Sequence, residues 1–223
     1  RASRHTELAE DARRLAELAK LRLASTPSVR SLALVGAEQL APALRYAIGS
    51  AGGPLRLTDR SWWKLLHLLE GEGLTPPLKA SEVGAGLFAA IDADATGEVS
   101  APEAGYLLGL LASGSVRERV DAACDAPGAP GSGSHLTRSA ALMQLQLCAR
   151  VRKLCAPKTT ALLLSIPAAD MKMMLPVPTA EVIDRAVADL YAGGTQLAAE
   201  QFRAWAATSP SISPLFVPLY RGA

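Results

Sequence analysis

Asp92-Ala93-Asp94-Ala95-Thr96-Gly97-Glu98-Val99-Ser100-Ala101-Pro102-Glu103 is a run of twelve residues in which oxygen-bearing side chains recur at alternate positions. A hard cation such as Ca2+ wants six to eight oxygens at short range. Asp92, Asp94 and Thr96 alternate so that their side-chain oxygens point to one centre, and the backbone carbonyl of Glu98 adds a further donor. Ser100 is placed to hold a bridging water, and Glu103, at the twelfth position, to close the site with both carboxylate oxygens. Gly97 falls at the sharp turn midway, where a Cβ is strained. Val99 is expected in a short β-bridge to a partner loop. A solvated acidic turn is the plain alternative for the same residues.

The flanks read as helices. Ser81 has the chemistry of an N-cap for a helix running to Ile91, and residues 102–111 continue on the far side, with Pro102 tolerated in the first helical turn. A loop of this length and donor spacing between two helices resembles the EF-hand. Thr96 departs from the commoner Asp or Asn, and Ala104 follows Glu103 where a large apolar residue is usual. Metal residues are accordingly expected to be Asp92, Asp94, Thr96, Glu98, Ser100 and Glu103, holding one Ca2+.

EF-hands work in pairs, so copies of the pattern are expected nearby. Leu57-Thr58-Asp59-Arg60-Ser61-Trp62 matches the end of such a loop and places a copy at 50–61, starting 42 residues before Asp92. Ser50, Gly52, Pro54 and Ser61 supply no carboxylate, so no metal is expected there, although Leu57 is positioned to bridge to Val99. A third copy opens at Asp125, and Leu136-Thr137 resembles its end; the intervening Gly/Pro/Ser segment makes it too long, and Ala140 falls where the terminal Glu belongs. A fourth runs from Leu190 to Gln201, with Leu197 at the bridging position and Phe202 just after the loop. Order and spacing together favour four repeats in two pairs.

Composition agrees with a helical chain. Of 223 residues, 42 are Ala and 35 Leu, whereas Ile numbers 5 and the aromatics 10, a balance that disfavours sandwiches and barrels. At 49% hydrophobic and 20% charged the chain can bury a core. Further helical periodicity is expected at 4–24, 31–48, 62–70, 116–124, 137–154, 180–191 and 198–207, with 126–134 a flexible loop and 157–178 irregular around Met171, Met173 and Met174.

Several chemistries find no support. The net charge of +2 lacks the basic excess of a nucleic-acid binder. No apolar run approaches the ~18 residues of a membrane span. Cys124, Cys148 and Cys155 have no metal-ligand spacing and read as buried thiols of a reducing compartment, with Cys148 and Cys155 sharing a helix face. Gly128–Gly133 lacks the Lys of a phosphate-binding loop, and His5, His67 and His135 have no paired spacing; His67, among leucines, reads as an interior or boundary residue. Arg150, Arg152, Lys153 and Lys158 read as a solvated basic face, and Trp62 and Trp63 with their neighbouring leucines as core with some surplus for a groove. No catalytic constellation stands out, and the chain is expected not to be an enzyme. It opens at Arg1 without an initiator Met, which points to a processed product or a segment of a longer chain.

The end of the chain sharpens the resemblance. Phe202-Arg-Ala-Trp205, then Pro210-Ser-Ile212-Ser-Pro-Leu215-Phe216, is similar to the close of calcineurin B and neuronal-calcium-sensor-type proteins, a last helix followed by a Pro-Xaa-Ile segment and an apolar stub. That resemblance covers about residues 30–217 and implies two EF-hand lobes with an apolar groove for a partner's amphipathic helix. An N-terminal Gly for myristoylation is absent. The expected architecture is all-α: an amphipathic helix at 1–27, a first pair over 28–114, a second pair with insertions over 115–208, and an apolar tail at 209–223. The expected role is a calcium-binding adaptor or regulatory subunit, intracellular and cytoplasmic or cytoskeletal, with an organelle also open. The alternatives are a structural subunit of a large cytoskeletal or organellar assembly with little calcium response, and a regulatory segment of a longer enzyme. Residues 157–178 read as a linker or lid, and an apolar tail lying in the groove is a further possibility.

Overall fold

Among the described residues, four short strands each run directly into a helix. The computed structural model describes residues 35–49, 55–70, 82–154 and 177–218. In order these are α1 (Leu40–Ile48), β1 (Arg56–Thr58), α2 (Asp59–Glu70), α3 (Glu82–Ile91), β2 (Glu98–Ser100), α4 (Ala101–Leu111), α5 (Val116–Asp125), β3 (His135–Thr137), α6 (Arg138–Leu154), α7 (Ala180–Leu190), β4 (Gln196–Ala198) and α8 (Ala199–Thr208). Short 3-10 turns at Ala37–Gln39 and Ser213–Phe216 flank them. The all-α expectation therefore holds, with two small ribbons added. The expected helix at 1–27, the loop residues 50–54, Cys155, Lys158, the segment 157–176 with its methionines and the last residues, 219–223, lie outside the described residues.

The ribbons are where sequence periodicity translates most directly into structure. β1 pairs antiparallel with β2, setting Leu57 opposite Val99, the pairing expected of them. β3 pairs likewise with β4, setting Leu136 opposite Leu197. Leu57, Val99 and Leu136 are fully buried, while their strand neighbours face outward, as a two-residue period demands. A hydroxyl at the strand's last residue then starts the helix in three of the four units: the amide N–H groups of Ser61, Glu103 and Ala140 donate to the hydroxyl oxygens of Thr58, Ser100 and Thr137 at 3.5, 3.3 and 3.2 Å. In the fourth, Ala198 has no hydroxyl, and Gln201 reaches back instead, its Oε1 accepting from the Ala198 N–H at 3.2 Å.

Helix boundaries among the described residues move by up to three residues from the expected ones, with a larger change at the start. Of the helix expected over 31–48, the described residues 35–39 are not α-helical, and the α-helix begins at Leu40. Pro42 explains this, because a ring without an N–H fits the first helical turn and breaks a later one. Ahead of it, the Ser113 N–H and the Ala37 N–H bond to Val35 and Ser113 carbonyls, tying the entry of the chain to the α4–α5 connection.

α4 is the central element. All of its residues except Glu103 are buried, and it packs against α1, α5 and α6. Gly105 permits this, since a Cβ there would lie 2.9 Å from Ala126 Cβ and 3.0 Å from Leu44 Cδ1. Trp62 is buried in the same cluster and donates its indole N–H to the Gly84 carbonyl at 3.1 Å. Trp63 is half-buried and Leu68 exposed, so the tryptophan pair is mainly core.

Three expectations change. The segment 126–134 is not a bare spacer: Ala126, Ala129 and Gly131 are buried, and the Gly131 N–H donates to the buried Gln144 Oε1 at 3.0 Å. His67 is exposed rather than interior, because α2 turns Leu65, Leu66 and Leu69 inward and leaves 67 on the outer face. Arg152 is not part of a solvated face: it is 2% exposed.

Arg152 instead holds the tail. Its Nη1 donates to the carbonyls of Leu215 and Val217, both at 2.8 Å, and the Tyr106 hydroxyl donates to Leu215 O at 2.7 Å. Ile212, Leu215 and Phe216 are buried, with the Phe216 ring edge-on to Tyr106 at 6.0 Å. The described part of the apolar tail is thus packed against α5, α6 and α8 of its own chain.

Candidate metal site

The 92–103 segment connects α3 to α4 and is held at both ends. Asp92 N–H closes α3 on the Phe88 carbonyl at 2.9 Å. At the far end β2 is fixed by its ladder to β1 and by burial of Val99. Between them the backbone turns tightly, with φ of 54° at Ala95 and 75° at Gly97. A Cβ on Gly97 would meet nothing within 4 Å, so glycine is required there for its backbone freedom and not for space.

The side chains fold inward on this turn. Asp92 accepts from the Thr96 N–H at 2.9 Å through Oδ1 and from the Gly97 N–H at 3.0 Å through Oδ2. Thr96 Oγ1 lies 3.2 Å from each of Asp92 Oδ1, Asp94 Oδ1 and the Glu98 carbonyl. One hydroxyl has one proton, so it serves only one of these three oxygens at a time. Four of the expected donors therefore converge, and all are hard oxygens, the chemistry Ca2+ takes. Partial burial works against ionisation of Asp92, but the Gly97 and Thr96 amides and the Thr96 hydroxyl together outweigh it and hold the carboxyl below its ordinary pKa.

The remaining two expected donors are turned to each other. Ser100 Oγ donates to Glu103 Oε2 at 2.6 Å, and Arg150 Nη2, from α6, donates to Glu103 Oε1 at 2.6 Å. Glu98 keeps its carbonyl in the loop while its carboxylate pairs outward with Arg56 at 3.3 Å. Among the described residues no three His, Cys, Asp or Glu side chains stand together as a metal cluster. The donor set at 92–103 is only partly of that kind, since Thr96 and the Glu98 carbonyl belong to it.

The other three loops present different chemistry. Ser61, the last residue of the first, shares a hydrogen bond with Thr58 Oγ1. Asp125, read as the opening of the third, is the last residue of α5, and its carboxylate accepts from both terminal nitrogens of Arg203 at 3.2 and 2.5 Å. Gln201, closing the fourth, is spent on its helix start. The free thiols Cys124 and Cys148 are buried; burial pushes Cys124 up to about 12 and Cys148 well above the ordinary thiol range, which leaves both protonated and inert.

Sequence reasoning missed Arg150, Arg152 and Tyr106. Arg152 did carry a signal: with Ala141, Leu145 and Cys148 it completes a 4-3-4 spacing on the buried stripe of α6. Arg150 carried none, because its partner Glu103 is 47 residues away. Comparison with protein-family models, with curated proteins and with solved structures gave no match.

Proposed function

We propose that this chain is a calcium-binding, non-enzymatic EF-hand protein with one competent loop at 92–103. The observation that carries the reading is the convergence of Asp92 Oδ1, Asp94 Oδ1 and the Glu98 carbonyl on Thr96 Oγ1. The loop is bounded by helices, turned at Gly97 and paired through Val99 with Leu57. Asp92, Asp94, Thr96 and the Glu98 carbonyl would hold the ion, Ser100 would hold a water, and Glu103 would close the site. Two helix–loop–helix pairs, each joined by a short ribbon, support the two-lobe reading. We place the chain as an intracellular adaptor or regulatory subunit that grips an amphipathic helix of a larger protein. With Tyr46, Leu55 and Leu68 exposed, its first half retains apolar surface for that contact.

Calorimetric calcium titration beside Glu103→Gln tests this. One site that weakens at least tenfold in the variant is the expected result, and no heat at millimolar calcium overturns it. A second reading has an observation of its own: both Glu103 oxygens are already bonded within the protein, which favours a structural subunit of a cytoskeletal or organellar assembly with little calcium response. Unchanged exposure of apolar surface on calcium addition would favour that alternative.

A further inference from the structure

Glu103 is the one expected ligand with a donor oxygen held by a side chain from another helix. Ser100 Oγ holds Oε2 and Arg150 Nη2 holds Oε1, each at 2.6 Å. Closing a calcium site at the twelfth position takes both carboxylate oxygens. An oxygen with two lone-pair sites can serve two partners, so the conflict is one of charge and orientation: the guanidinium at Oε1 repels a second cation and holds the carboxylate turned towards α6. We propose that Arg150 sets the affinity of the 92–103 loop by competing with calcium for Glu103, which makes it a positioning residue contributed from another helix-loop-helix unit. The inference rests on the calcium reading given above.

The environment suits an exchange of partners. A charge-assisted pair at this distance is strong enough to bias the Glu103 rotamer. The Arg150 side chain is 60% exposed, so water can solvate the guanidinium once it is released, whereas Glu103 at 23% is half-sheltered and needs a partner in either position. Linkage then works in both directions: an acidic group on a partner that draws Arg150 away tightens calcium binding by the same factor by which calcium favours that partner.

Removing a positive charge near an acidic loop strengthens cation binding by plain Coulomb attraction, so the test needs a matched charge. Arg56 supplies it: this exposed arginine also pairs with a loop residue, but through Glu98 Oε2, whereas Glu98 offers the ion its backbone carbonyl. The experiment is calorimetric titration of the full chain with calcium chloride for the wild type, Arg150→Gln, Arg150→Lys and Arg56→Gln. Arg150→Gln is expected to bind about two- to five-fold tighter, the factor an exposed ion pair supplies, with Arg150→Lys lying between it and the wild type. Arg56→Gln is expected to change affinity by less than about 1.5-fold, the general effect of one screened charge. Equal shifts in Arg150→Gln and Arg56→Gln, or no shift in Arg150→Gln, overturn it while leaving the calcium site standing. Absence of heat in all four proteins overturns the calcium reading and the competition together.

Discussion

Asp92 gathers more hydrogen bonds than any other loop carboxylate, and this makes its ionised form part of the fold. Desolvation opposes the charge, but the Gly97 and Thr96 donors outweigh it, so the folded-state pKa lies below the ordinary 3.8. A depressed carboxyl stabilises the fold fully above its unfolded pKa and loses that contribution as pH falls through the folded one. The loop should therefore show no Asp92-dependent change in stability above about pH 5. Urea midpoints of the wild type and Asp92→Asn should differ at pH 5 and draw together towards pH 2.5; a constant gap would contradict this account. Ala95, three residues on, is a methyl side chain held at a φ of 54°. The left-handed region costs a non-glycine residue roughly 1–2 kcal/mol, against about 0.5–1 kcal/mol of extra chain entropy that glycine loses on folding. Ala95→Gly should accordingly stabilise by up to about 1 kcal/mol and Ala95→Val should destabilise, both read from chemical unfolding.

At the scale of elements, the tail and its two donors form a unit. Leu215 O accepts from both Tyr106 and Arg152, and burial pushes the Tyr106 hydroxyl far above its ordinary pKa, so it stays a donor throughout the working pH range. Either single substitution leaves Leu215 O with one donor, and only the double leaves it bare. Tyr106→Phe should cost about 1 kcal/mol and Arg152→Met about 2–3 kcal/mol. The double variant should cost more than their sum by about 1 kcal/mol, since an unsatisfied buried carbonyl appears only there. Strict additivity in a urea double-mutant cycle would mean that water satisfies Leu215 O. This unit also shows what a sequence can reveal and what it cannot. The strand-to-helix junctions were legible because the determinants are adjacent: an apolar residue at 57, 99, 136 or 197, followed in three cases by a hydroxyl. Arg152 lies on the buried stripe of α6 but reads as one cation in a basic run, because its compensating carbonyls come from a segment 63 and 65 residues later. The 126–134 segment misled in the same way: its Gly/Pro/Ser composition describes a free chain, whereas Gln144 and the close packing at Gly131 tie it down. The ligand spacing at 92–103 was local and legible; the turning of Glu103 towards Arg150 was not.

Over the whole molecule the oxygens at 92–103 are brought together only by the fold, since α3, the ribbon to β1 and α4 all fix the loop. An ion that binds the folded chain and not the unfolded one stabilises by mass action, about 2.7 kcal/mol at a concentration one hundred times its Kd. For a chain of 223 residues, 1 kcal/mol corresponds to roughly 2–4 °C in Tm. Saturating calcium should therefore raise Tm by about 5–11 °C in the wild type and by no more than about half as much in Glu103→Gln. What the rise means depends on the apolar surface. A regulatory protein must change its exposed surface between the two states, because a ligand shifts an equilibrium only through its differential affinity for them. Binding of a hydrophobic dye that increases with calcium, in step with the titration, identifies the regulator. A Tm that rises with no dye response identifies an ion that serves as a rivet, stabilising a core that already holds Ile212, Leu215 and Phe216. Truncation before Ile212 separates the two further. If the tail is part of that core, its removal should raise dye binding in calcium-free and calcium-loaded protein alike. If calcium reshapes a second surface on the first half, the calcium-dependent increment should survive the truncation intact.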